Sequence, residues 1–234
     1  MDEVIGAGPS VRAVVFDLWL TLIPFPGEAR RSAFRLLAAA LGVSVEELRP
    51  HWDATRSERE TGDLARYLSR LGPRLGYTWS PAMIEAAMAA RRSAHGACFA
   101  EPFSDGRAAI AGLRDRGILV GLVSNCTSDV RLAMVEHEMA GWFDAVILSA
   151  EVGIMKPAPE IFELAARRLD VEPAACLFVG DGGDDELDGA AAAGMTPLRY
   201  DPTGSRVRSV GASVGGPSAI VISSHLDLLP LVDR

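Results

Sequence analysis

The chain has little of what would place it on a membrane, on nucleic acid or outside the cell. No apolar run approaches the roughly 18 residues of a membrane-spanning helix, so no transmembrane segment is expected. Basic residues are in deficit: 23 Lys and Arg stand against 31 Asp and Glu, for a net charge of −8. The pI near 5.1 argues against nucleic-acid or membrane-surface partners, which call for a basic face. Cysteine is scarce. Cys98, Cys126 and Cys176 show no pair spacing, and three cannot all pair, so a reducing cytoplasmic compartment is expected. The opening Met1-Asp2-Glu3 lacks the charged-then-apolar pattern of a secretory signal. The four histidines share no ligand spacing, and there is no internal repeat.

What is present fits a folded domain with a buried core. Hydrophobic residues make up 49% of 234, enough for one large domain or a core carrying a smaller inserted one. Short apolar, β-branched runs occur at Val11–Phe16, Ile118–Val123, Ala145–Leu148, Ala175–Val179 and Ala219–Ile222, with a weaker one at Thr196–Tyr200. Runs of this kind predict strands buried on both faces. Helix-length segments lie between the later ones: Asp105–Arg116, Pro159–Leu169 and Glu186–Ala193. Alternation of strand and helix predicts an α/β fold, a parallel Rossmann-like sheet with helices on both faces.

Residues 24–102 break that rhythm and read as almost pure helix. Ala29–Leu41 repeats apolar residues at helical spacing up to Gly42. Ser44-Val45-Glu46-Glu47 fits a capping box. Ser80-Pro81 places a cap before a proline at the first helical position. The expected organisation is therefore a core of residues 1–23 and 103–234 with a helical module at 24–102 inserted into it. Arg56, Arg59 and Glu60 in that module either face substrate or lie on a solvated helix face, and the solvated face is the expectation. The Gly-, Ser- and Pro-rich stretch Asp201–Ser218, with Arg206 and Arg208, reads as a loop.

The chemistry gathers at strand ends, where open parallel sheets bind ligands. Asp17 follows Val14-Val15-Phe16, Ser124 and Asn125 follow Val120–Val123, and Asp181 follows Leu177–Gly180. Two carboxylates brought together in a partly buried site call for a cation. Magnesium suits oxygen ligands and a phosphate, and Lys156 adds a fixed positive charge. Cys126 reads as small filler beside the site. Asp184, Asp185 and Asp188 are expected to be solvated.

In order and spacing, these residues resemble the motifs of the haloacid dehalogenase-like superfamily. Phe16-Asp17-Leu18-Trp19-Leu20-Thr21-Leu22 is similar to its first motif, Ser124-Asn125 to its second and Lys156-Pro157 to its third. The stretch Val179-Gly180-Asp181 to Ala193-Gly194-Met195 is similar to its fourth. The inserted module is similar to that family's helical cap. The resemblance implies an aspartyl-phosphate at Asp17, with Thr21 orienting that carboxylate. It implies that Ser124 and the amide of Asn125 hold the phosphoryl group and that Lys156 neutralises charge. Magnesium would be held by Asp17, Asp181 and the main-chain carbonyl of Trp19.

Two positions depart from the pattern. Trp19 stands where the family's phosphatases have a second aspartate for acid–base work, and reads as a plug over the pocket. Glu186 stands where the fourth motif has its second aspartate, able to serve the metal shell or to pair with Lys156. The implied activity is that of a magnesium-dependent phosphatase or phosphotransferase on a small phosphorylated metabolite. Two alternatives stand beside it: a 2-haloacid dehalogenase using Asp17 without metal, and a slow phosphate-binding scaffold.

Overall fold

Strands form where apolar and β-branched residues run unbroken, because a parallel sheet covered on both faces offers such residues burial on either side. In a computed structural model that describes residues 10–203 and 220–233, six such runs make one parallel sheet. They are β1 (Ala13–Phe16), β2 (Leu119–Ser124), β3 (Ala145–Leu148), β4 (Cys176–Gly180), β5 (Thr196–Tyr200) and β6 (Ile220–Ile222). Their order is β3-β2-β1-β4-β5-β6. Each predicted run contains a strand. Val11 and Arg12 fall outside β1, Ile118 outside β2 and Ala175 outside β4; Ser124 joins β2, Gly180 joins β4, and Ala219 lies outside the described residues. The chain steps outward from β1 through β2 to β3, then crosses back to β4. The reversal beside β1 opens a crevice at the carboxyl ends of the strands.

Period-two alternation sends neighbouring side chains to opposite faces. Val14 and Phe16 pack with Val120, Leu122, Leu177 and Val179 under α6 (Ser104–Arg114) and α7 (Val130–Glu136). Ala13 and Val15 pack with Val123 and Phe178 under α9 (Pro159–Leu169) and α10 (Glu186–Ala192). Phe178 meets Phe162 edge-on, with ring centroids 5.0 Å apart; truncating either ring to alanine would cost about 3–5 kcal/mol. Two single-turn helices, α8 (Ser149–Val152) and α11 (Leu229–Val232), complete this part.

Between β1 and β2 lie α1 (Gly27–Leu41), α2 (Val45–Ala54), α3 (Arg56–Glu60), α4 (Leu64–Arg74) and α5 (Pro81–Ala100). They enclose a core of their own, with Phe34, Leu37, Leu48, Trp52, Tyr67, Leu68, Leu71 and Trp79 at its centre. Gly42, at φ 69°, ends α1 in the left-handed conformation. Ser80 caps α5 by accepting from the Met83 amide at 3.2 Å. At α2 only half of the expected capping box forms. Ser44 accepts from the Glu47 amide at 3.1 Å, but the Glu47 carboxylate instead accepts from the Tyr77 hydroxyl at 2.8 Å. A phenol offered by the chain 30 residues later outcompetes the local backbone amide.

This helical layer lies over the sheet edge and is tied to it by polar contacts. Arg91 bonds Asp129, Arg92 bonds Glu136 at 3.1 Å, and the Leu64 amide donates to the Ser128 hydroxyl at 3.0 Å. No helix among the described residues is long and apolar enough to cross a membrane. Most of the stretch Asp201–Ser218, with Arg206 and Arg208, lies outside the described residues.

Candidate active site

β1 sits between β2 and β4, pairing Phe16 with Leu122 on one side and with Val179 on the other. The residues that follow these strands must therefore converge. The Asp17 amide donates to the Val179 carbonyl at 2.8 Å, which fixes the start of the loop after β1. That loop then tightens. The Leu22 and Ile23 amides both donate to the Leu18 carbonyl at 2.9 and 3.0 Å, and the Leu20 amide donates to the Ile23 carbonyl at 2.8 Å. Leu20 takes a positive φ of 62° at the turn. Thr21 is left fully buried, its hydroxyl without a hydrogen-bond partner.

Lys156 lies at the centre. Its ammonium bonds Asp17 and also lies 2.5 Å from a carboxylate oxygen of Glu186. All three side chains are almost wholly buried. The other Glu186 oxygen accepts from the Gly182 amide at 3.0 Å. Two glycines make this convergence possible. A Cβ on Gly180 would stand 2.1 Å from a Glu186 oxygen, and one on Gly189 would stand 2.2 Å from the Pro157 carbonyl. Neither position admits a side chain, so α10 can press against both the end of β4 and the loop carrying Lys156. Asn125 fastens that loop: its side-chain oxygen accepts from the Lys156 amide at 2.8 Å, and its side-chain nitrogen donates to the Lys156 carbonyl at 3.0 Å.

Carboxylate oxygens of Asp17, Asp181 and Glu186 all lie within 4.8 Å of one another. Burial raises the Asp17 carboxyl above its usual range; Lys156 opposes the shift, and Asp181 adds to it. Burial likewise pushes Glu186 well up, against the pull of Lys156 and with Asp17 and Asp181 reinforcing it. For Lys156 burial opposes the charge, but Asp17 and Glu186 outweigh it and hold the ammonium above its ordinary value. With all three carboxylates ionised, one ammonium would leave an excess of two negative charges, a repulsion that joins burial in raising Asp17 and Glu186. An oxygen-only donor set with that excess fits a hard divalent cation such as magnesium. Ser124, at the end of β2, is fully buried, and its hydroxyl also lacks a hydrogen-bond partner. Buried orphaned hydroxyls are uncommon and call for a missing partner.

A cavity of about 960 Å³ opens from these residues toward the helical layer. Trp19 lines it within an aromatic cluster, its ring 4.2 Å from that of Phe25 and 5.6 Å from those of His95 and Phe99. Burial, reinforced by Arg91, drives His95 down to about 3, so the cluster stays uncharged at neutral pH. Cys126 is buried, which pushes its thiol up and suits the packing role expected of it.

Several charged residues expected in solvent are not there. Asp184 accepts from both terminal guanidinium nitrogens of Arg56, at 2.7 and 2.6 Å, and from the Asn125 side-chain nitrogen at 3.0 Å. Asp184 and Asp185 turn back through positive φ, which brings Asp184 toward the cavity. Asp185 and Asp188 are partly buried. Arg59 is 6% exposed, because its guanidinium lies over the Trp52 ring at 4.3 Å and donates to the Trp52 carbonyl. Burial of this helix turn also raises the Glu60 carboxyl. One support for the site had no local signal in the sequence. His225 is buried, with Nε2 2.9 Å from the Thr21 carbonyl and Nδ1 2.8 Å from Asp105, and it stacks on Tyr200 at 4.1 Å. It braces the loop after β1 from the far end of the chain.

Known proteins are similar to this chain in sequence and in fold. A family described as haloacid dehalogenase-like hydrolases matches residues 11–194. A glyceraldehyde 3-phosphate phosphatase of Methanopyrus kandleri is 31% identical, covering 81% of this chain and 83% of its own length. A ribulose-1,5-bisphosphate 5-phosphatase of Halopiger xanaduensis is also 31% identical, covering 82% and 85%. In fold, the chain is similar to a 2-haloacid dehalogenase of Pseudomonas syringae pv. Tomato, at 24% identity with a TM-score of 0.71 over 96% of this chain and 99% of the other. With a family match running from before β1 to the end of α10 and relatives this similar over most of their length, the chain belongs to the haloacid dehalogenase-like hydrolases, and the protein is an enzyme.

Proposed function

We propose that this protein is a magnesium-dependent phosphatase acting on a small phosphorylated metabolite through an aspartyl-phosphate on Asp17. The observation that carries the reading is the buried, partnerless hydroxyl of Ser124 at the end of β2, on the strand that pairs with β1, the strand leading to Asp17. A tetrahedral oxyanion held there would supply acceptors to the Ser124 hydroxyl and to the Lys156 ammonium. The relatives named as phosphatases support the same reaction class.

In this reading the Asp17 carboxylate attacks phosphorus, the P–O bond to the leaving group breaks, and the leaving oxygen departs with the electron pair. Water then attacks the aspartyl-phosphate to release inorganic phosphate. Thr21 orients the nucleophile, and Lys156 offsets charge shared by Asp17 and the phosphoryl oxygens. Ser124 and the Asn125 amide hold those oxygens, while the Asn125 side chain keeps Lys156 in place. Asp17, Asp181 and the Trp19 carbonyl would hold magnesium, with Glu186, which also anchors Lys156, completing the acidic set. The ion would supply the positive charge that lets an anionic phosphate enter among carboxylates, a large part of catalysis in such sites. Residues 24–102 serve as a cap that closes the cavity over the sheet edge and excludes water.

Trp19 favours a second reading, 2-haloacid dehalogenation by Asp17 on carbon, because its indole supplies no acid–base group. The excess negative charge around Lys156 weighs against it. A panel of phosphorylated metabolites and 2-haloacids, run with magnesium and with chelator, separates the two. Phosphate release that requires magnesium is expected; halide release that persists in chelator would overturn the phosphatase reading.

A further inference from the structure

The cavity divides its charge between two walls. On the sheet side lie Asp17, Asp181, Asp184 and Glu186 together with Lys156, and Arg56 reaches across to Asp184. On the helical side lie Arg30, Arg31, Arg49, Arg56, Arg59 and Arg91, opposed by Asp53 and Glu60. Three of these six arginines are already engaged by close carboxylates. Arg31 pairs with Glu28, Arg56 with Glu60 and Asp184, and Arg91 with Asp129. Arg49 and Arg59 are different. Their nearest carboxylates are Asp53 at 3.9 Å and Glu60 at 3.7 Å, both beyond hydrogen-bond reach, and Glu60 is already taken by Arg56.

Aromatic rings hold these two guanidinium groups instead. Arg49 lies 4.3 Å over the Phe34 ring and Arg59 4.3 Å over the Trp52 ring, and the two rings touch, with centroids 5.4 Å apart. Stacking fixes each planar fork while leaving edge N–H groups free to donate. Arg59 is buried with one carbonyl as its hydrogen-bond acceptor and only a longer, 3.7 Å ion pair to Glu60, an arrangement that a further anion within hydrogen-bond reach would relieve. At about 960 Å³ the cavity also has room for a small metabolite well beyond the phosphate itself.

We propose that Arg49 and Arg59 form a second anion subsite, so that the substrate is a phosphorylated small molecule bearing a further carboxylate or phosphate at its other end. This rests on the phosphatase reading above. The metal-bound end of the substrate meets the acidic wall, and the second anion meets the arginine wall, which also fixes the direction in which a substrate with two different ends enters.

The test is competition against 4-nitrophenyl phosphate hydrolysis with magnesium present. Three inhibitors share a three-carbon skeleton: glycerol 3-phosphate with a neutral tail, 3-phosphoglycerate with a carboxylate, and glycerol 1,3-bisphosphate with a second phosphate. One or both compounds with a second anionic group should inhibit about 10- to 100-fold more tightly than glycerol 3-phosphate, the gain expected of charge-assisted hydrogen bonds. Which one gains tells carboxylate from phosphate. Arg59→Met should bring the ratio close to one, and Arg59→Lys should recover part of it. Arg49→Met, at a half-exposed side chain, should lower the ratio several-fold even where Arg59→Met does not fold. Equal inhibition by all three compounds, or a ratio unmoved by the arginine variants, would overturn the subsite and leave the phosphatase reading standing. Failure to hydrolyse 4-nitrophenyl phosphate or any inhibitor at all would instead defeat the phosphatase reading, and the subsite with it.

Discussion

Lys156→Met removes the ammonium from the centre of the site while keeping a side chain of similar length. The ammonium bonds Asp17 and lies 2.5 Å from Glu186, and the three side chains are between 2% and 5% exposed. Little of any of the three side chains reaches solvent. Breaking a buried pair from one side typically costs about 3–5 kcal/mol, and here two carboxylates are stranded together. Glu186 keeps the Gly182 amide, which places the expected loss within that range rather than at twice it. Glu186→Gln alone should also destabilise, since it removes one of the anions that holds Lys156. The double variant Lys156→Met/Glu186→Gln should then lose about 1–3 kcal/mol less than the sum of the single losses, a coupling usual for groups in direct contact. Urea unfolding of the four proteins in chelator measures this, with midpoints compared at a common slope. A Lys156→Met loss under about 1 kcal/mol, or strict additivity, would show that the lysine is not the electrostatic keystone of the site.

Two further outcomes follow from the same geometry. Trp19 supplies no proton donor or acceptor of the required kind, and such a group typically contributes ~10²–10⁴-fold. Rapid mixing with an activated aryl phosphate should therefore show a burst and then a slow steady state. Trp19→Asp should speed that steady state even as the loss of packing against Phe25 and Phe99 lowers stability. Absence of a burst, with fast hydrolysis of alkyl phosphates, would show that another residue moves the proton, with Glu186 the first to examine. Ser124→Ala should reduce activity by about 10²-fold while its unfolding midpoint holds or rises, because the alanine removes a buried hydroxyl that the folded chain leaves without a partner. A large loss of stability would show a structural role instead.

The strands were legible because a parallel sheet asks for unbroken apolar runs, and Val14-Val15-Phe16 could hardly be anything else. Asp17, Ser124 and Asp181 were legible as the first polar residues after such runs. Arg59 was not. A charged residue on a short helix reads as solvated until Trp52, from another helix, is folded against it. Asp184 was misread for a similar reason: two consecutive positive-φ residues turn it back to meet Arg56, 128 positions away in the sequence. Glu47 looked like a capping partner because the local spacing was right, and Tyr77 lay outside that window. The brace from His225 to Thr21 joins residues 204 positions apart, and no local pattern announces it. The Asn125 side chain was expected beside the phosphate only through its neighbouring amide. Its two bonds to the Lys156 backbone emerge only once the loops are brought together.

The central claim is that Asp17 carries the phosphoryl group during turnover. Acid quenching of the enzyme within one turnover of an aryl phosphate and magnesium, followed by digestion and mass spectrometry, tests it directly. One phosphoryl group is expected on the peptide containing Asp17, lost on treatment with hydroxylamine and absent from Asp17→Asn. Phosphate release by the unmodified protein with no label on that peptide, or a label that persists in Asp17→Asn, would contradict it.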